Sequence, residues 1–297
     1  MIIAFAEDGT VLSASSLLSM TYRRDLVPVP ANLEFTVQSN NTLVGRLVKG
    51  TKLIVGTNQI PMTVVKVQHY RSQQVRNDML IAGLAIVAIL TGCESLIEKS
   101  PKAIIMNNTT VADVYRACGA TVTFASDIPL PKFVCLKGQI PTFQIARRLH
   151  SEGARIVLSG QQLNVVRVAD LLSAQPVATY DASAVQWIDN PSVATMHVPS
   201  AISTDSSGNI LYPSQQDNRP IIFIGGLDER EMLNLENVLI TRAILMRPLD
   251  ETLHAGTCIQ VGTKKLVIKT DANRMDTGAL GGRSVFASKA WLADLST

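Results

Sequence analysis

Residues Thr257 to Lys269 read TCIQVGTKKLVIK, and the fold class turns on this stretch. Thr257 to Val261 and Lys264 to Lys269 are short apolar-rich runs. Gly262 and Thr263 between them form a two-residue link in which glycine supplies the backbone freedom of a tight hairpin. Just upstream, Val238 to Met246 alternates, with Leu239, Thr241, Ala243 and Leu245 on one side, the period of a strand with one face on a core. Ile221 to Ile224, halted by Gly225 and Gly226, adds a further strand, and a last element is expected around Ser284 to Leu292. Ser200 to Arg219, rich in Ser, Asp, Gly, Asn and Gln, reads as a long surface loop.

The first seventy or so residues have the same texture. Leu33, Phe35 and Val37 share one face of a strand against Glu34 and Thr36. Leu43 to Val48 and Lys52 to Val55 flank Lys49, Gly50 and Thr51, which predicts a hairpin. A turn at Gly56, Thr57 and Asn58 then leads into Ile60 to Val67, where Val65 and Val67 oppose Lys66 and Gln68. So many short strands must hide their edges, and a small curled barrel is the expected solution.

Between these β-rich regions the pattern changes. Met79 to Leu90 is the longest apolar run, interrupted only by Gly83. It is about half a bilayer crossing, so it reads as a buried strand or core helix and not as a membrane span. Ala103 to Met106, a helix from Thr110 to Gly119 and Thr121 to Phe124 make one strand, helix, strand unit. Phe133 to Leu136, a helix with Thr142 behind Pro141 as its candidate cap and Phe143, Ile145, Ala146 and Leu149 as its apolar stripe, and a closure at Gly153 make a second. Arg155 to Leu158 and Leu163 to Val168 pair across Ser159 and Gly160. The expected class is a β-rich α+β chain of two small β-barrel-like domains, residues 1–76 and 176–297, with an α/β insert at 77–175 between them.

Composition limits the function. The 297 residues are 46% hydrophobic and only 17% charged, so partners are expected to cover part of the surface. A net charge of +3 and the lack of a basic run interleaved with aromatics disfavour nucleic-acid binding as the main task. Met1 leads directly into apolar residues and then Glu7 and Asp8, which is not a secretory pattern. Cys93, Cys118, Cys135 and Cys258 are scattered and read as small buried hydrophobes.

Few residues suggest chemistry. His69, His150, His197 and His254 are isolated, and HExxH, GxSxG, GxxxxGK and GxGxxG patterns are absent. Gly278, Gly281 and Gly282 before Arg283 read as a flexible turn. Asp228, Glu229 and Glu231 read as the acidic first turn of a helix rather than a catalytic pair. Glu94 and Glu98 are spaced for one helix face near Lys99 and Lys102. Lys49 and Lys52 at the first hairpin and Lys264 and Lys265 at the late one could line a channel that passes DNA, with ordinary solvated turns as the alternative. No catalytic, cofactor-binding or metal-binding residue is assigned.

Two stretches together carry a family resemblance. One is the order Leu84 to Cys93, Glu94 to Leu96, Lys102 to Asn107 and Thr110 to Ala120; the other is Gln144 to Gly153 followed by Gln162 to Val166. They resemble the hub family of phage tail baseplates, which includes late-control tail proteins and the hub part of contractile injection spikes. The resemblance covers the middle third of the chain, and the β-rich flanks by order of elements. It implies a homotrimer whose two barrel-like domains per subunit give a ring of six similar units. Such a ring would meet the tail tube protein on one side and the central spike protein on the other, beside other baseplate proteins, with DNA only in transit. It further implies a place in the virion tail, assembly in the host bacterial cytoplasm, no stable membrane insertion and no cofactor. The sequence departs from the family in having no long C-terminal β-helix, so the spike is expected to be a separate chain. A cell-wall-degrading hydrolase module is the competing reading, and it needs a paired acid and base in a cleft. A carbohydrate-binding β-module is a third, but seven Phe, five Tyr and two Trp (Trp187 and Trp291) leave few aromatic platforms for sugars.

Overall fold

The computed structural model describes residues 1–76, 79–188, 198–205, 207–212, 220–278 and 283–295. His197, Gly281, Gly282 and part of the expected loop at 200–219 lie outside them. The chain is a β-rich α+β protein, as the alternation of its apolar residues predicts.

The N-terminal part contains β1 (Ile3–Phe5), β2 (Leu17–Asp25), β3 (Ala31–Gln38), α1 (Asn41–Arg46), β4 (Lys52–Val55), β5 (Ile60–Arg76) and β6 (Met79–Leu90). Its strands pair in the order β1-β4-β5-β6-β3-β2. Leu33, Phe35 and Val37 are buried as their alternation requires. Met79–Leu90 is a strand, paired with both β5 and β3. The expected boundary between residues 76 and 77 therefore falls at the tip of the β5–β6 hairpin, and Leu84, Ile86 and Ala88 of β6 face the N-terminal core. Each such side chain contributes about 1.5–3 kcal/mol by leaving water, Ala88 less.

One expectation is corrected here. Leu43 to Val48 is not a strand, because residues 41–46 form α1. The Asn40 side chain accepts a 2.8 Å hydrogen bond from the Leu43 amide and caps the helix, while Leu43 and Leu47, one turn apart, bury together.

The middle of the chain runs from a 3-10 turn (Glu94–Ile97) through β7 (Ile104–Thr110), α2 (Val111–Ala117), β8 (Phe124–Ser126), β9 (Pro129–Cys135), α3 (Pro141–Ser151), β10 (Ala154–Ser159) and β11 (Gln162–Arg167) to α4 (Val168–Ser173). Thr110 caps α2 and Gly153 closes α3, both as expected, but Thr142 is not a cap: it lies inside α3, which starts at Pro141 with Ile140 at the cap position. The strand expected at Thr121 to Phe124 lies slightly later, where β8 pairs in parallel with β11. This part shares one continuous core with the N-terminal sheet. Tyr115 of α2 donates from its hydroxyl to the Pro28 carbonyl at 2.8 Å, and its ring meets Phe124 edge to face.

The C-terminal part holds β12 (Thr179–Tyr180), β13 (Val185–Trp187), β14 (Ser200–Thr204), β15 (Ile210–Leu211), β16 (Ile221–Phe223), α5 (Glu229–Glu236), β17 (Leu239–Pro248), β18 (Cys258–Val261), β19 (Lys264–Asp276) and β20 (Val285–Leu295). The expected hairpin through Gly262 and Thr263 is the β18–β19 turn. Ser200–Thr204 is a strand inside the expected loop, because it pairs with both β15 and β16. The larger strands pair in the order β12-β18-β19-β20-β17-β13, and β2 pairs with β19 to join both halves into one sheet.

The two halves repeat one plan. With β1 to β6 matched in turn to β12, β13, β17, β18, β19 and β20, the pairing orders coincide. The long hairpins bulge at equivalent places, between Val64 and Lys66 and between Ile268 and Thr270. Before each bulge a left-handed glycine, Gly50 at φ +97° or Gly256 at φ +92°, donates its amide to the carbonyl of Val64 or Ile268. The repeat is imperfect at its rim, where β1 runs antiparallel to β4 but β12 runs parallel to β18.

Candidate functional site

Of the three carboxylates singled out at the start of α5, Asp228 and Glu231 are engaged in structure and Glu229 is exposed. Asp228 caps α5 by accepting from the Glu231 amide at 2.7 Å, and Glu231 returns the contact by accepting from the Asp228 amide at 2.9 Å. The other Glu231 oxygen meets Arg148 at 2.6 Å. Arg148 also meets Glu152, the residue that caps the end of α3 four positions on, at 2.5 Å, and Glu152, only 2% exposed, takes a second partner in Arg230 at 2.6 Å. These charges tie α3 to α5, and Arg148, Asp228 and Glu231 among them border a cleft of about 530 Å³, whose wall also includes Lys132, Phe133, Arg147 and Leu227. A buried network of this kind is held by mutual pairing, since each charge left alone would be costly to bury.

Glu94 and Glu98 do not pair with Lys99 and Lys102. Glu94 meets Lys52 at 3.3 Å and Glu98 meets Lys49 at 3.2 Å, because the 3-10 turn lies beside the loop between α1 and β4. Two of the four candidate channel lysines are therefore accompanied by carboxylates. Lys264 stands 5.6 Å from the centre of the Trp187 ring, and Lys265 is exposed beside it on the β18–β19 turn.

All four cysteines are buried free thiols. Burial pushes Cys93 and Cys118 up to about 12, so both stay protonated and poorly nucleophilic near neutrality. His150 is held down to about 4 by burial and by the nearby Arg155 charge. His69 is exposed on β5, and His254 lies beside the Ala255 carbonyl, its Nδ1 at 3.0 Å. Among the described residues no three His, Cys, Asp or Glu side chains converge to hold a metal ion. No described helix is long and apolar enough to cross a membrane.

The feature with interaction potential is backbone. Among the described residues, β13 pairs only with β17, and β5 beyond Val64 pairs only with β6, so each presents one open edge. Trp187 and Ile188 at the β13 edge are each 39% exposed. Reading by residue type missed these edges. The signal that could have revealed the repeat is short: Gly50-Thr51-Lys52-Leu53-Ile54-Val55-Gly56-Thr57 and Gly256-Thr257-Cys258-Ile259-Gln260-Val261-Gly262-Thr263 share the pattern GTxxxVGT.

Neither a protein-family model nor a curated protein matches the sequence. Solved structures do match. Over 99% of its length the chain resembles a tail protein from Neisseria meningitidis, at TM-score 0.65 and 11% identity, covering 96% of that chain. It resembles the 43 kDa tail protein of prophage MuSo2 from Shewanella oneidensis at TM-score 0.59 and 11% identity, covering 98% of this chain and 95% of that one. A third match, at TM-score 0.53 and 13% identity, is the c3393 protein of E. coli, a type VI secretion component described as similar to the T4 tail proteins gp27 and gp5; the match covers 99% of this chain and 76% of that one. The fold is that of phage tail proteins. This agrees with the β-rich α+β class and with the likeness to phage tail proteins read from the sequence.

Proposed function

We propose that this chain is a structural subunit of a phage-type tail: a baseplate hub protein, acting without catalysis, whose copies assemble in threes into a ring. The ring joins the tail tube to the central spike, contacts other baseplate proteins and surrounds the channel through which DNA passes. The observation that carries the reading is the internal repeat, which gives one chain two copies of a single sheet plan in a tail-protein fold. Three such chains present six similar units, the number needed to meet a sixfold tube. The open edges of β5 and β13 supply the means of joining, and a surface poor in charge suits a large shared interface.

In this reading the β-rich parts expected at 1–76 and 176–297 supply the ring units, the first of them completed by β6, and the α/β segment that follows β6 braces it. Lys49, Lys52, Lys264 and Lys265 are the candidates for the channel wall. Their positive charge is partly offset at Lys49 and Lys52, which would keep attraction to passing DNA weak.

Labelling of intact particles with an antibody to this chain tests the role. The expected result is a label at the baseplate end of the tail tube, with tails missing or unfinished when the gene is disrupted. Label along the whole tube, or complete tails without the chain, would overturn it.

A further inference from the structure

The structure contains a worked example of how one repeat joins the next. Inside the chain the first unit offers the outer edge of β2, and the second receives it on β19 beyond the bulge: Met20, Thr21 and Tyr22 stand opposite Met275, Arg274 and Asn273. The matching outer edge of the second unit is β13, and the matching receiving edge of the first is β5. Both are open among the described residues.

Register fixes which residues correspond. Across the first unit one row of paired positions runs Tyr22, Leu33, Ala88, Val64. Across the second the same row runs Trp187, Ala243, Leu292, Ile268. Trp187 is thus the counterpart of Tyr22, and Val64 of Ile268. Asn273, the partner of Tyr22, lies five positions beyond Ile268, and five positions beyond Val64 lies His69.

We infer that β13 of one copy pairs antiparallel with β5 of the next, with Trp187 opposite His69, Ile188 opposite Gln68 and Gln186 opposite Tyr70. This rests on the ring reading above and names the joint through which the ring closes. The contact is head to tail, so it closes only if the rotation it imposes brings the last copy back to the first.

Exposure supports the assignment. Tyr22 is 4% exposed because β19 lies alongside it, whereas its counterpart Trp187 is 39% exposed and has no strand beside it among the described residues. His69 and Gln68 are also exposed, so the receiving positions are accessible. The joint between copies differs from the internal one in one respect. Arg24 pairs with Asp271 inside the chain, and the position matching Asp271 on β5 is Val67, so that buried ion pair has no equivalent between copies.

Oxidative cross-linking of full-length double-cysteine variants tests the register, read beside the mass of each protein in solution. The native cysteines are buried, which keeps the background low. His69→Cys with Trp187→Cys, and as a second in-register pair Gln68→Cys with Ile188→Cys, should give covalent two-chain and three-chain products. Gln68→Cys with Trp187→Cys is offset by one residue, so the thiols face opposite sides of the sheet and should link at least tenfold less. A trimer by mass in which neither in-register pair links, or in which the offset pair links equally well, overturns the joint but leaves the ring. A single-chain mass overturns both.

Discussion

Arg24 and Asp271 face each other across the β2–β19 pair, each almost fully buried, with the guanidinium held 2.9 Å from the carboxylate. The arginine also donates to the Leu253 carbonyl and the aspartate accepts from the Ala255 amide, so few hydrogen-bonding positions are wasted. Asp271→Ala leaves Arg24 buried without its partner and should lower unfolding stability by about 3–5 kcal/mol, read by urea denaturation. A loss near zero would mean that the two halves are not locked by this pair. His150 carries the pH prediction. Its native-state value lies near 4 and its unfolded value near 6.5, so the unfolded chain takes up a proton first as pH falls. Its contribution is intact above the unfolded value and is lost as pH drops toward the folded one. Wild type should therefore lose about 2 kcal/mol more than His150→Gln between about pH 7 and about pH 5. Equal losses in both proteins would show that His150 protonates freely in the folded state. Neither residue could be recognised from sequence, since burial and partners decide both effects.

Among the elements, alternation was enough to read β3 and β17, because each has one face on a core and a polar or half-buried face opposite, while the β18–β19 hairpin was legible from its Gly262-Thr263 link. Met79 to Leu90 did not reveal its type, since a run apolar on both faces has no period to separate strand from helix. Leu43 to Val48 was misread because the cap lies in the Asn40 side chain and the helical spacing rests on only Leu43 and Leu47. Helix α5 was legible, as Asp228 and Glu231 stand at the spacing of a capping box. Asp228→Ala should cost about 1 kcal/mol in thermal or urea unfolding. No change would mean that Arg148 and Glu231 hold the first turn without the cap. The open edges were not legible at all, because an edge consists of unpaired backbone amides and carbonyls that any residue type carries. The GTxxxVGT repeat was present but short, and the turns following it differ in length: Gly56 to Gln59 in one half and Gly262 to Thr263 in the other.

At the scale of the molecule, the fold places two versions of one sheet side by side and, among the described residues, leaves open the part of β5 beyond Val64 and the outer side of β13. Apolar side chains also remain outside the cores of the isolated chain: Phe223 is 66% exposed, Tyr212 66% and Phe286 54%. Exposed apolar groups and open strand edges together favour association, and in the proposed reading a head-to-tail joint whose rotation closes would make that association a ring. The mass of the purified protein in solution, measured over a range of concentrations, tests this most directly. The account predicts an assembly of three times the 32.1 kDa of one chain, persisting on dilution. A species that keeps the mass of one chain at every concentration would contradict it.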